Sequence, residues 1–228
     1  MKDLILLHGA LGHSGHFDAL AEKLSPHFKV HTFDFIGHGA SPLSDEPLTI
    51  DTYVQQLQAY CDRMQLQQPY IFGYSMGGYV ALCYAARNPG GIGSVLTLAT
   101  KFAWTPEGAA REAQMLQPDK IMEKVPQFAQ QLAAMHGSEK WRLLLPEVAH
   151  LMQKLGDRPL LQATELQAIS APVQLMVGDR DAMVTLEETK ETAKLLPNAR
   201  WAVLPGTKHP LEQVRSALLL HLMLDFWL

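Results

Sequence analysis

Short, nearly continuous apolar runs alternate along this chain with stretches whose apolar residues recur every three or four positions. The runs fall at 4–7, 30–33, 70–72, 95–98, 173–177 and 201–204. Such runs suit strands buried on both faces. Between the second and third, Ile50, Tyr53, Val54, Leu57, Tyr60, Cys61 and Met64 carry the spacing of an amphipathic helix. Residues 75–87 predict another helix, ended by Asn88-Pro89-Gly90-Gly91. Strand and helix in alternation imply an α/β fold: a mostly parallel, doubly wound sheet of about six strands with helices on both faces.

One stretch departs from this rhythm. Residues 101–164 show helical patterning and no strand, and Pro106, Pro118, Pro126, Pro146 and Pro159 should divide them into short helices, because proline is tolerated near helix starts or between helices. Phe128, Leu132 and Met135 share one face; Leu144, Val148, Leu151 and Leu155 share another. A helical insertion between two strands of a parallel sheet would lie over their carboxyl ends, where ligands bind. The expected organisation is a core of residues 1–100 and 165–228 with a helical lid, 101–164, inserted in it. Met115, Met122, Phe128, Met135 and Trp141 are expected mainly as lid core, with some forming a pocket wall.

The sharpest chemical signal is Gly73-Tyr74-Ser75-Met76-Gly77-Gly78, directly after an apolar run and directly before a helix. This is G-x-S-x-G in its strand–turn–helix context. Positions 73 and 77 must be small because the turn is tight, and the turn holds the Ser75 hydroxyl above the sheet. The bland alternative is a serine N-cap on a glycine-rich helix start. Serine needs a base and the base an orienting acid. Among ten histidines, only His209 sits in a loop after the last expected strand. The acid candidates, Asp179 and Asp181, follow the strand before it, giving the order Ser, Asp, His.

Taken together, Leu7-His8-Gly9, Asp34-Phe35-Ile36-Gly37-His38-Gly39-Ala40-Ser41, the serine turn, Gly178-Asp179-Arg180-Asp181 and His209 resemble the alpha/beta-hydrolase fold superfamily, specifically its short single-domain members with a helical lid. The resemblance selects Asp181 over Asp179 as the acid. It also implies an oxyanion hole built from the backbone N–H groups of Met76 and Ala10. Relative to typical members, the chain is expected to begin at the family's third strand. His8, His38 and Asp34 are expected to anchor loops beside the site, and His13 and His16 to face solvent. Leu11, Lys101 and Trp104 are candidate substrate-lining residues.

Composition narrows the field. With 19 basic and 23 acidic residues, a net charge of −4, the chain offers no basic stripe for nucleic acid. Two cysteines, Cys61 and Cys83, lack metal-type spacing and are expected as small apolar helix residues. No export signal or membrane segment is evident, so the expected location is cytoplasmic, without membrane partners. The implied activity is a serine hydrolase acting on a small carboxylic ester or thioester through an acyl-enzyme on Ser75, with no cofactor and no metal. The alternatives are a menaquinone-pathway-type lyase or a carbon–carbon bond hydrolase using the same triad, and a ligand-binding receptor on the same fold. Neither substrate nor oligomeric state is legible.

Overall fold

The computed structural model describes residues 1–228. Six strands form one sheet: β1 (Lys2–Leu7), β2 (Phe28–Thr32), β3 (Tyr70–Tyr74), β4 (Ser94–Leu98), β5 (Val173–Gly178) and β6 (Ala199–Leu204). Their order is β2-β1-β3-β4-β5-β6 and every pairing is parallel, so the sheet is wholly rather than mostly parallel. The connection from β1 leads to one side and the chain beyond β3 to the other. That reversal opens a crevice above the carboxyl ends of β1 and β3, the usual ligand position in doubly wound sheets.

Side-chain alternation divides the interior in two. From β1, Leu4 and Leu6 join a cluster with Phe17, Phe72, Leu96 and Met223, beneath α1 (Asp18–Leu24) and α10 (Ser216–Trp227). Ile5 and Leu7 point the opposite way, with Ile71, Val95 and Leu175, into the larger cluster under α2 (Ile50–Met64), α3 (Met76–Arg87) and α9 (Leu186–Leu195). Full burial of each such side chain contributes about 1.5–3 kcal/mol, which makes the sheet the stable platform. Cys61 and Cys83 are buried and unpaired on α2 and α3, and burial pushes the Cys83 thiol up to about 12. No helix is long and apolar enough to cross a membrane.

Between β4 and β5 the chain forms five helices: α4 (Pro106–Ala113), α5 (Pro118–Lys124), α6 (Pro126–His136), α7 (Lys140–Asp157) and α8 (Ala163–Gln167). Pro106, Pro118 and Pro126 occupy first helical positions, where the missing N–H is no loss. Pro146 departs from the expected punctuation, since it lies inside the 18-residue α7. The helix persists through it because Leu144, Leu145, Val148, Leu151 and Leu155 are all buried and anchor both halves. The periodicity also misplaces part of the insertion's core. Met115, Met122 and Phe128 are exposed, while Leu132 and Trp141 are buried.

Pro146 leaves the Arg142 carbonyl without its helical donor. Pro146→Ala restores that bond and should raise the urea-unfolding free energy by about 1–3 kcal/mol; an unchanged midpoint would mean that α7 is already relaxed around the proline.

Candidate active site

Ser75 stands where β3 turns into α3. Its φ of 51° and ψ of −116° are unfavourable for a residue with a Cβ, a strain of about 1–3 kcal/mol. Hydrogen bonds to its backbone hold it there. The Ser75 N–H donates to the Leu98 carbonyl at 2.8 Å, and the Ser75 carbonyl accepts from the Gly78 N–H and the Thr100 hydroxyl, both at 3.0 Å. A Cβ on Gly73 would approach the Gly78 backbone to 2.4 Å, and one on Gly77 would approach the Leu7 carbonyl oxygen to 2.3 Å. The Ser75 side chain does not cap α3, which removes the N-cap alternative.

The Ser75 Oγ lies 3.3 Å from His209 Nε2, a long bond of the kind that tightens only when substrate is bound. On the far side of the ring, His209 Nδ1 is 2.8 Å from Asp181 Oδ2 and 3.1 Å from Oδ1. With the Nδ1 proton directed at the carboxylate, Nε2 is left as the acceptor for the serine proton. The Tyr74 hydroxyl donates to the His209 carbonyl at 2.8 Å and fixes the loop. Asp181 has a fully buried side chain that also accepts from the Met183 and Val184 N–H groups. Burial pushes its carboxyl up, but the His209 hydrogen bond and charge and these two N–H groups hold it below the usual range. Asp179 is engaged elsewhere, accepting from the Thr207 N–H at 3.1 Å.

The cavity beside Ser75 and His209 also reaches Ala10 and Met76, whose N–H groups donate to no acceptor within the protein. Its outer wall comes from α7, through Val148, Leu151, Met152 and Leu155. Lys101, Trp104 and Glu112 form one flank. The cavity is partly open to solvent and offers about 50 Å³ of water-accessible space, room for a few waters. Leu11, expected to line this space, does not. A left-handed φ of 58° and a hydrogen bond at its carbonyl fix its backbone, and its side chain packs against the cluster of Ile121, Leu132 and Trp141. His13 and His16 are half-buried outside the cavity. Tyr79, Ile50, Met183, Val184 and Glu112 were not signalled by any motif, yet all border it.

A set of neutral histidines supports the loops under Ala10. His8 Nδ1–H donates to the Gly9 carbonyl at 2.8 Å and its Nε2 accepts from the Phe35 N–H at 3.1 Å. His136, from α6, donates through Nε2–H to the Leu11 carbonyl at 3.0 Å and accepts the Gly39 N–H on Nδ1 at 2.9 Å. Each pattern requires an uncharged ring, because imidazolium has no acceptor. Burial pushes His8 down to about 4 and lowers His38 and His136 as well; Asp34, the nearest carboxylate, opposes this without reversing it. Asp34 itself accepts from the Ser14 and Ala40 N–H groups at 2.7 Å, pinning the two loops together.

A family model described as alpha/beta hydrolase fold matches residues 3–145, well over half of the sequence. The chain belongs to the alpha/beta hydrolase fold family. Among curated proteins it is similar to the pimeloyl-[acyl-carrier protein] methyl ester esterase of Nitrosomonas europaea, 27% identical over 91% of this chain and 88% of that protein. The enzyme of the same name from Chromobacterium violaceum is 29% identical over 91% and 87%. Among solved structures, MenH from S. aureus superposes with a TM-score of 0.77 at 25% identity, covering 99% of this chain and 92% of the other. The enol-lactonase of Burkholderia xenovorans gives 0.79 at 21% over 99% and 90%, a likeness of fold.

The buried histidines set a stability window. A histidine whose pKa is depressed by folding binds protons better when unfolded, so its stabilisation is complete above the unfolded value and is lost as pH falls through the folded one. For His8 that interval runs from 6.5 to about 4 and is worth about 3 kcal/mol, with His38 and His136 adding to it. Asp181 adds its loss only below the ordinary carboxylate value of 3.8. Urea-unfolding free energies should therefore decline across the histidine interval, and His8→Gln should flatten the decline. A flat profile over that range would show that the three rings are solvated.

Proposed function

We propose that this chain is a serine hydrolase that cleaves small carboxylic esters through an acyl-enzyme on Ser75. The observation that carries this reading is the continuous contact from Asp181 through His209 to a strained Ser75, at the mouth of an apolar cavity. His209 takes the Ser75 proton as Oγ attacks the ester carbonyl, forming the C–O bond of a tetrahedral intermediate. The negative oxygen is received by the N–H groups of Ala10 and Met76, and the amino end of α3 adds its partial positive charge. Collapse expels the alcohol, which leaves with the proton from His209. A water deprotonated by the same ring then attacks the acyl-enzyme, and the acid departs. Asp181 keeps the imidazole in the Nδ1–H tautomer and stabilises its charged form.

Helices α4 to α7 act as the lid in this reading, and α7 supplies the apolar wall for the acyl chain. The curated relatives are named for a methyl ester on a carrier-bound acyl chain. Together with the apolar wall of α7, this supports an ester of a small alcohol with an extended acyl part. The same names support ester hydrolysis over the lyase, carbon–carbon and receptor alternatives.

Ser75→Ala should lower kcat on p-nitrophenyl esters by about 10⁴–10⁶, with the fold intact by circular dichroism. His209→Ala should fall in the same range, and the double variant should be no worse than either single one, because the two residues act as a unit. Equal turnover by parent and Ser75→Ala would sink the acyl-enzyme.

A further inference from the structure

An ion pair faces the cavity. Lys101 follows β4, at the core side of the crevice; Glu112 is in the last turn of α4, on the insertion. Their Nζ and Oε1 atoms are 2.6 Å apart, and the side chains are only 18% and 13% exposed. Both residues border the cavity that contains Ser75 and His209, whose lining is otherwise almost wholly apolar. The Lys101 ammonium sits 5.3 Å from the centre of the Trp104 ring, and the Trp104 indole N–H donates to the Lys101 carbonyl at 3.2 Å. These contacts fix where the ammonium points.

The pair is not saturated. Lys101 Nζ carries three donors and bonds one acceptor in the protein, Glu112 Oε1; Glu112 Oε2 receives no donor. Two donor positions and a carboxylate oxygen are therefore left beside the cavity. Three classes of substrate group would meet them differently. A hydrocarbon would strip water from the pair and return no hydrogen bond, which is unfavourable. A carboxylate would gain Lys101 but face Glu112, so attraction and repulsion nearly cancel. A neutral group that both donates and accepts, such as a hydroxyl or an amide, can satisfy both partners at once.

We propose that the Lys101–Glu112 pair is a specificity element that recognises a neutral hydrogen-bonding group, a hydroxyl or amide, on the substrate away from the scissile carbonyl. The inference rests on the ester-hydrolase reading above for the identity of the cavity. It treats the two side chains as acting on binding, and assigns them no part in bond breaking. A purely structural tie between β4 and α4 would affect all substrates alike, whereas a recognition element changes their ranking.

The test uses p-nitrophenyl esters of butyric to octanoic acids, each unsubstituted, ω-hydroxylated and ω-carboxylated, and compares kcat/KM ratios within each enzyme. At the favoured chain length the parent should prefer the hydroxylated ester over both others by about tenfold, carried mainly by KM. Glu112→Gln leaves Lys101 as an uncompensated cation and should shift the ratio of carboxylated to hydroxylated ester upward by about tenfold or more. Lys101→Met combined with Glu112→Leu keeps the packing without charge and should make the unsubstituted ester the best of the three. If the ratios in Glu112→Gln equal those of the parent, or the parent prefers the unsubstituted ester, the inference is overturned. Should Glu112→Gln fail to fold, the apolar double variant decides the question. Calorimetric binding of the corresponding methyl esters to Ser75→Ala reads the same ranking without turnover. Absence of ester turnover in the parent would therefore overturn the hydrolase reading, while the binding order still judges the ion pair.

Discussion

Everything at the site depends on how closely the start of α3 passes beneath β1. With the Cβ position of Gly77 only 2.3 Å from the Leu7 carbonyl oxygen, no side chain fits between the turn and the strand. That approach forces Ser75 into its unfavourable backbone conformation and sets the Met76 N–H beside the loop that carries Ala10. The strain persists because the sheet over-determines it: Leu98, Gly78 and Thr100 all grip the Ser75 backbone from different elements. Local conformation is sacrificed at one residue, and the parallel core around it supplies the free energy that keeps it so.

Around this fixed centre the helical insertion is attached by polar contacts of several kinds. Tyr79, on α3, accepts the Leu160 and Leu161 N–H groups, holding the exit from α7 against the core. His136 and Lys140 reach from the junction of α6 and α7 to the loops after β1 and β2, with the Lys140 ammonium donating to the Gly39 and Ser41 carbonyls. Glu188 of α9 accepts from the Phe102 and Ala103 N–H groups where the insertion begins. The apolar face of α7 meets the cavity between these anchor points. Attachment is thus peripheral, and the part of the insertion nearest Ser75 is held mainly by packing.

The sheet was legible because all six apolar runs correspond to strands: the central β4 and β5 are buried on both faces, as such runs imply, whereas the edge strands β2 and β6 are only partly buried, with Trp201 and Val203 exposed. The serine turn was legible because its glycines are dictated by close backbone approach, a constraint that leaves a fixed spacing. Other features escaped for physical reasons. Asp179 and Asp181 share one loop, and only the Thr207 N–H, brought from a distant turn, separates their partners. Helical periodicity told which residues of the insertion share a face but not what that face meets, so Phe128 reads as core and is exposed. Glu112 was invisible because a charged residue on a short helix reads as solvated surface until its partner is known. Pro146 reads as a break because burial of the flanking leucines, which overrides it, is a tertiary effect.

The contact between Ser75 and His209 spans 134 positions of sequence, and that between Tyr74 and His209 spans 135. Between them lie three strands that must pair in parallel, each closure carrying the entropy of a long crossover. No hairpin or single βαβ unit contains the set. During folding, helices such as α2 can form early from local contacts, but the geometry around Ser75 is complete only when β6 and its following loop have docked. The site is therefore a late event in the life of the chain. Recovery of its geometry after dilution from denaturant should be the slowest phase seen, lagging behind the return of helical signal.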